Sequence, residues 1–139
     1  MDMKFEQVDI RSLGNDTKSK YNAIYQRLAF ETAVIIFKKS NGDNRVMLAT
    51  RNPRTVTLAG NGDNKAVLKL NSHDRRCNID NGNVSVMDLE IAECRAFNVD
   101  RVIDLYFVGQ IMTTDELDAE LKRYKEYKER LGDFYGGAI

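Results

Sequence analysis

Ala33-Val-Ile-Ile-Phe-Lys-Lys-Ser-Asn-Gly-Asp-Asn-Arg-Val-Met-Leu-Ala-Thr-Arg-Asn-Pro53 sets two strand-like runs on either side of Asn41-Gly42. Both runs are rich in β-branched and aromatic residues. Asn-Gly supplies the positive φ values of a tight primed turn, so the stretch predicts a β-hairpin. Its strands are expected over Thr32 to Lys39 and Arg45 to Asn52, with Pro53 ending the second because it has no N–H to give to a ladder.

Downstream, Val56 to Leu58, Ala66 to Leu70 and Arg76 to Ile79 read as shorter strands, separated by Gly60-Asn-Gly-Asp-Asn64 and Asn71 to Arg75. Val84 to Ile91, Cys94 to Phe97 and Arg101 to Val108 complete the β region, and alternation assigns Phe97, Val99, Val102 and Leu105 to the core. Short strands at this spacing, with Asn/Gly turns between them, predict a small antiparallel barrel whose closure removes exposed edges.

Helices are expected at both ends. Tyr21, Ile24, Tyr25, Leu28 and Ala29 recur at the spacing of one helical face within 16–30. At the other end, Thr113 and Glu116 form a capping box for a helix over 113–131, with Gly132 as its stop. Leu117, Leu121, Tyr124 and Leu131 make its apolar stripe, about four turns long, which suits packing in cis or a small dimer interface better than an extended coiled coil. The tail from Phe134 to Ile139 reads as a docking peptide or a frayed end. The class is therefore mainly β (α+β): one domain of 139 residues, a barrel over 32–108 flanked by the two helices.

The 21 basic and 21 acidic side chains cancel, which argues against a generic polycation coating nucleic acid or an anionic membrane. They are unevenly placed, however: residues 38–76 carry a net charge of +6 and residues 77–139 carry −6. Within the basic segment, Lys38, Lys39, Arg45, Arg51, Arg54, Arg75 and Arg76 near strand ends and turns are candidates for anion or nucleic-acid contact, because lysine and the planar arginine fork engage phosphate or carboxylate. Exposed aromatic residues that would stack bases are missing from this segment, and Phe37 is expected to point inward.

Catalytic groups are sparse. His73 is the single histidine and lies in a polar loop, so a Cys-His or Ser-His-Asp arrangement would have to use it. Cys77 and Cys94 lack CxxC spacing and read as reduced thiols of a cytoplasmic protein, and no Walker A or GxGxxG sequence is present. Gly60-Asn-Gly-Asp-Asn64 lacks both the Lys-Ser/Thr of a phosphate cradle and the terminal Glu of a calcium loop. The expectation is a non-enzymatic protein without metal or cofactor. No apolar run reaches the length of a membrane span.

Phe37-Lys-Lys-Ser-Asn-Gly42, Arg45-Val-Met-Leu-Ala-Thr50, Val86-Met-Asp-Leu89, Cys94-Arg-Ala-Phe97 and Asp100-Arg-Val-Ile103 occur here in an order and spacing similar to those of the small WYL-like proteins of T-even-type tailed phages. The resemblance spans Thr32 to Leu105. It implies an Sm-like or SH3-like barrel, a phage origin and action in the host cytoplasm. Small phage proteins of this kind imply a host protein as partner, in the RNA polymerase or defence machinery; the wider Sm-like and WYL groups imply nucleotide or nucleic-acid binding. The chain would act as a monomer or small homo-oligomer. Arg95 and Arg101 lie among acidic neighbours that suit ion pairs, and their place in the resemblance makes them second-rank candidates for a ligand or partner site.

Overall fold

The computed structural model describes residues 6–73 and 77–134. Six strands form one antiparallel sheet: β1 (Glu6–Gln7), β2 (Thr32–Lys38), β3 (Asn44–Thr50), β4 (Asn83–Asp88), β5 (Glu93–Asn98) and β6 (Val102–Gly109), in the order β1-β6-β2-β3-β4-β5. Four helices accompany them: α1 (Thr17–Leu28), α2 (Pro53–Ala59), α3 (Lys65–Ser72) and α4 (Thr114–Phe134). The α+β class is as expected, but the sheet is not a closed barrel. β3 and β4 pair only through Ala49–Asp88 and Thr50–Met87, and among the described residues no ladder joins the β5 edge to the opposite side of the sheet.

The central hairpin forms where expected, with a different turn. Lys39 N–H donates to Asp43 O at 2.7 Å and Gly42 N–H to Lys39 O at 2.9 Å. Gly42 adopts φ 92° while Asn41 keeps a negative φ, so the loop is a three-residue turn with a bulge at glycine, not a two-residue primed turn.

The segments Val56 to Leu58 and Ala66 to Leu70, expected as strands, lie instead in α2 and α3. Pro53 is the reason for the first difference. It starts a helix at a position where its missing N–H costs nothing, and Asn52 Oδ1 caps that helix by accepting from Arg54 N–H at 3.0 Å. In α3, Ala66, Val67 and Leu70 share one face directed at the core. Of the strand expected over Arg76 to Ile79, the described part contributes one bridge, Asn78 to Asn83.

Because the residues of β2 and β3 alternate between two buried faces, the core has two parts. On one face α1 lays Tyr21, Ile24 and Leu28 against Ala33, Ile35, Phe37, Met47, Val84 and Phe97. Burying Ile24 and Leu28 contributes about 1.5–3 kcal/mol each relative to exposure. On the other face α2, α3 and α4 bring Val56, Leu70, Leu117, Tyr124 and Leu131 onto Val34, Ile36, Val46 and Leu48. The α4 cap forms as the sequence implies, with Glu116 N–H donating to Thr113 Oγ1 at 3.1 Å, and the helix runs through Gly132 to Phe134. No helix among the described residues is long and apolar enough to cross a membrane.

Candidate anion-binding cleft

After its two residues of pairing with β3, the β4–β5 ribbon folds back over the face that carries Phe37, and the Phe97 ring comes within 6.1 Å of the Phe37 ring. Gly82 permits the crowded junction at the foot of this ribbon. At φ 82° it leaves the Thr17 and Val99 methyls where a Cβ would meet them at 2.8 and 2.9 Å. One end of the enclosed space is plugged by α1. The other is an open cleft of about 780 Å³ between the β2–β3 turn and β5.

Phe37 and Phe97 form the floor of this cleft, both more than nine-tenths buried. Around them stand Lys38, Lys39, Arg45, Arg95 and Arg101, five cations with no carboxylate among the described lining residues. Ladder parity brings two of them, Arg45 and Arg95, to the face of the two rings. Arg45 pairs directly with Phe37 across β2 and β3, and Arg95 lies on the Phe97 face of β5.

Each cation is held differently. Arg101 Nη1 donates to Lys39 O at 3.2 Å, tying the turn to the 3-10 segment (Val99–Arg101) that precedes β6. Arg95 Nε lies 3.2 Å from Asp88 Oδ2, near enough for an ion pair but too poorly aligned for a hydrogen bond. Lys38, Lys39 and Arg45 make no side-chain hydrogen bond or ion pair with any described residue. Burial pushes the Asp88 carboxyl above its ordinary range, against the opposing pull of the Glu90 N–H at 3.1 Å and the Arg95 charge.

A second, mixed-charge cleft of about 450 Å³ shares Lys39, Arg45 and Arg95 with the first and adds Asp88, Glu90 and Lys128. There Lys128 Nζ pairs with Glu90 Oε1 at 2.9 Å, and Asn44 Oδ1 is buried without a described partner. Asn44, Asn83 and Asn98 escape a search for charged residues. Their signal was position alone, at the strand ends that border the cations.

The remaining candidates lie elsewhere. Arg51 is built into the closed end: its guanidinium stacks 4.6 Å from the Tyr25 ring centroid, donates to Ser85 O and to Tyr25 Oη, and lies 3.7 Å from Cys77 Sγ. Arg54 is exposed on the first turn of α2, away from the lining of either cleft. Arg75 and Arg76 lie outside the described residues, as does the tail beyond Phe134. His73 contributes its main-chain carbonyl to Ser85 Oγ at 3.1 Å, Cys77 and Cys94 are both free, and no described group of three acidic, histidine or cysteine side chains could hold a metal ion.

Comparison of the chain with protein-family models, with curated proteins and with solved structures finds no match.

Proposed function

We propose that the chain is a non-enzymatic binding protein that recognises an acidic surface of another protein through the cleft between the β2–β3 turn and β5. The observation that carries this reading is the convergence of five cations, with no carboxylate among the described lining residues and only Arg95 ion-paired, to Asp88, on an otherwise charge-balanced molecule. Such a field speeds encounter with an acidic partner and selects its orientation. The sequence resemblance supplies the setting: a phage protein of the Sm-like or SH3-like kind that binds a host protein of the transcription or defence machinery as a regulator of host takeover. The meander from β2 to β5, which returns through one 3-10 turn so that β6 lies beside β2, supports that barrel kinship.

Nucleotide or nucleic-acid binding through segment 38–76 would draw on the same cleft cations. Two features favour a protein partner. The Phe37 and Phe97 rings are buried, so no aromatic ring described in the cleft is open to stack a base, and Arg51 is committed to internal contacts.

The test is capture of partners from nuclease-treated host lysate on the immobilised chain, in parallel with a Lys38→Glu/Arg101→Glu double variant of unchanged melting temperature. One protein retained by the wild type at high salt and released by the double variant is the expected result. Retention of nucleic acid alone, with affinity falling steeply as salt rises, would replace this reading with the nucleic-acid one.

A further inference from the structure

The cleft borders a strand edge that no described strand occupies. Val99 N–H donates to Gly82 O at 2.9 Å, which fixes the phase of the β4–β5 ladder. Opposed residues of an antiparallel pair exchange hydrogen bonds at every second position, so Glu93, Arg95 and Phe97 turn their main-chain groups to β4. Cys94, Ala96 and Asn98 therefore turn theirs outward, where no described strand pairs with β5. Ala96 is exposed and, with Asn98, lines the cation-rich cleft.

We propose that the β5 edge takes up an extended acidic peptide segment of the partner as an added strand. This rests on reading the cleft as a protein-recognition site and names the form of the recognised segment. Main-chain bonds to Ala96 and its outward neighbours supply affinity, and side-chain charge supplies selection. Side chains of an added strand alternate between faces, so every second residue meets Lys39, Arg45 and Arg95. The segment therefore carries Asp or Glu at alternate positions.

The experiment uses a fluorescein-labelled peptide of alternating Glu and Val, its Lys-Val counterpart, and a single-stranded oligonucleotide of equal charge. The wild-type chain, uniformly labelled with 15N, should bind the acidic peptide alone, with the Ala96 amide shifted and slowed in exchange. Ala96→Pro removes an outward N–H without touching the β4 ladder, a place where an edge strand accepts proline, and should weaken binding at least about tenfold. Exchange at Ala96 unchanged in the complex, or full affinity in Ala96→Pro, would overturn strand addition. The acid-recognition reading would survive that result if Lys38→Glu/Arg101→Glu still abolished binding. Protection of Ala96 without peptide, accompanied by dimers in sedimentation, would assign the edge to self-pairing and overturn the proposal. Binding of the oligonucleotide alone would overturn both readings.

Discussion

Arg45 and Arg51 sit at opposite ends of β3, six residues apart by number, and the fold treats them in opposite ways. Arg51 is enclosed by α1 and the β4 strand, with the Tyr25 ring against its guanidinium and Ser85 O as an acceptor. Arg45 stands on the Phe37 face at the end that no helix covers, and its guanidinium meets no described acceptor. An arginine that is satisfied internally contributes stability; one held half-buried without a partner keeps its donors for a ligand. The closed end of the sheet therefore holds the fold together, and the open end is where the proposed partner would be met.

Truncating the two arginines separates these roles with the largest effect. Arg51→Ala should cost about 2–4 kcal/mol in urea unfolding, because it removes charged hydrogen bonds and leaves the Ser85 carbonyl without its donor. Arg45→Ala should stay within about 0.5 kcal/mol of wild type in the same assay. Equal losses would erase the distinction between the two ends.

Glu120 sharpens the comparison, being more deeply buried than the half-buried Arg51 yet left without Arg51's partners. It is 5% exposed, its Oε2 accepts no hydrogen bond, and Arg123 Nε stands 3.7 Å away. Burial raises its carboxyl pKa above the ordinary 4.5, with Arg123 opposing. The folded state then holds this proton more tightly than the unfolded chain does. The stability it confers is complete below 4.5 and is lost as pH rises through the folded value. Glu120→Gln should accordingly be more stable than wild type at pH 7, with the gap closing in acid. A gap independent of pH would assign the effect to packing.

The smallest effect belongs to the turn that frames the open end. Ala92 lies between β4 and β5 at φ 55°, a left-handed conformation that a Cβ disfavours. Ala92→Gly should stabilise by about 0.5–1 kcal/mol in thermal unfolding while leaving acidic-peptide affinity unchanged.

Much of the closed end was legible from residue order. The strands around Asn41-Gly42, the α1 face of Tyr21, Ile24 and Leu28, the Thr113 cap and the inward direction of Phe37 and Phe97 follow from periodicity and turn chemistry, and the structure has them. The helices α2 and α3 were not legible as helices. At seven and eight residues they are too short for a period to declare itself, and Thr55, Val56 and Thr57 favour strand by local preference. What decides is the Asn52 cap and the burial of Val56 and Thr55, whose hydroxyl donates to Ile111 O at 2.7 Å across 56 residues of chain.

The cations of the site were legible as a list but not as a cluster. Arg51 reads like Arg45 along the chain; only the two-residue β3–β4 ladder and the turn of the β4–β5 ribbon separate them. Those same features keep the sheet open, and nothing in local sequence reports a ladder's length.

Where β3 parts from β4, the edge of β3 is not left bare. Tyr124 on α4 places its hydroxyl 3.2 Å from Val46 O, donating where a neighbouring strand's N–H would otherwise stand. Beneath α4 lie Val34, Ile36, Val46 and Leu48, an apolar β-prone strip beside that edge. Unpaired strand edges joined to such strips are what seed cross-β growth. The Tyr124 hydroxyl and the Leu89 N–H, which donates to Leu48 O at 2.8 Å, thus stand where an incoming strand would have to bond, and α4 blocks that edge as a neighbouring strand would.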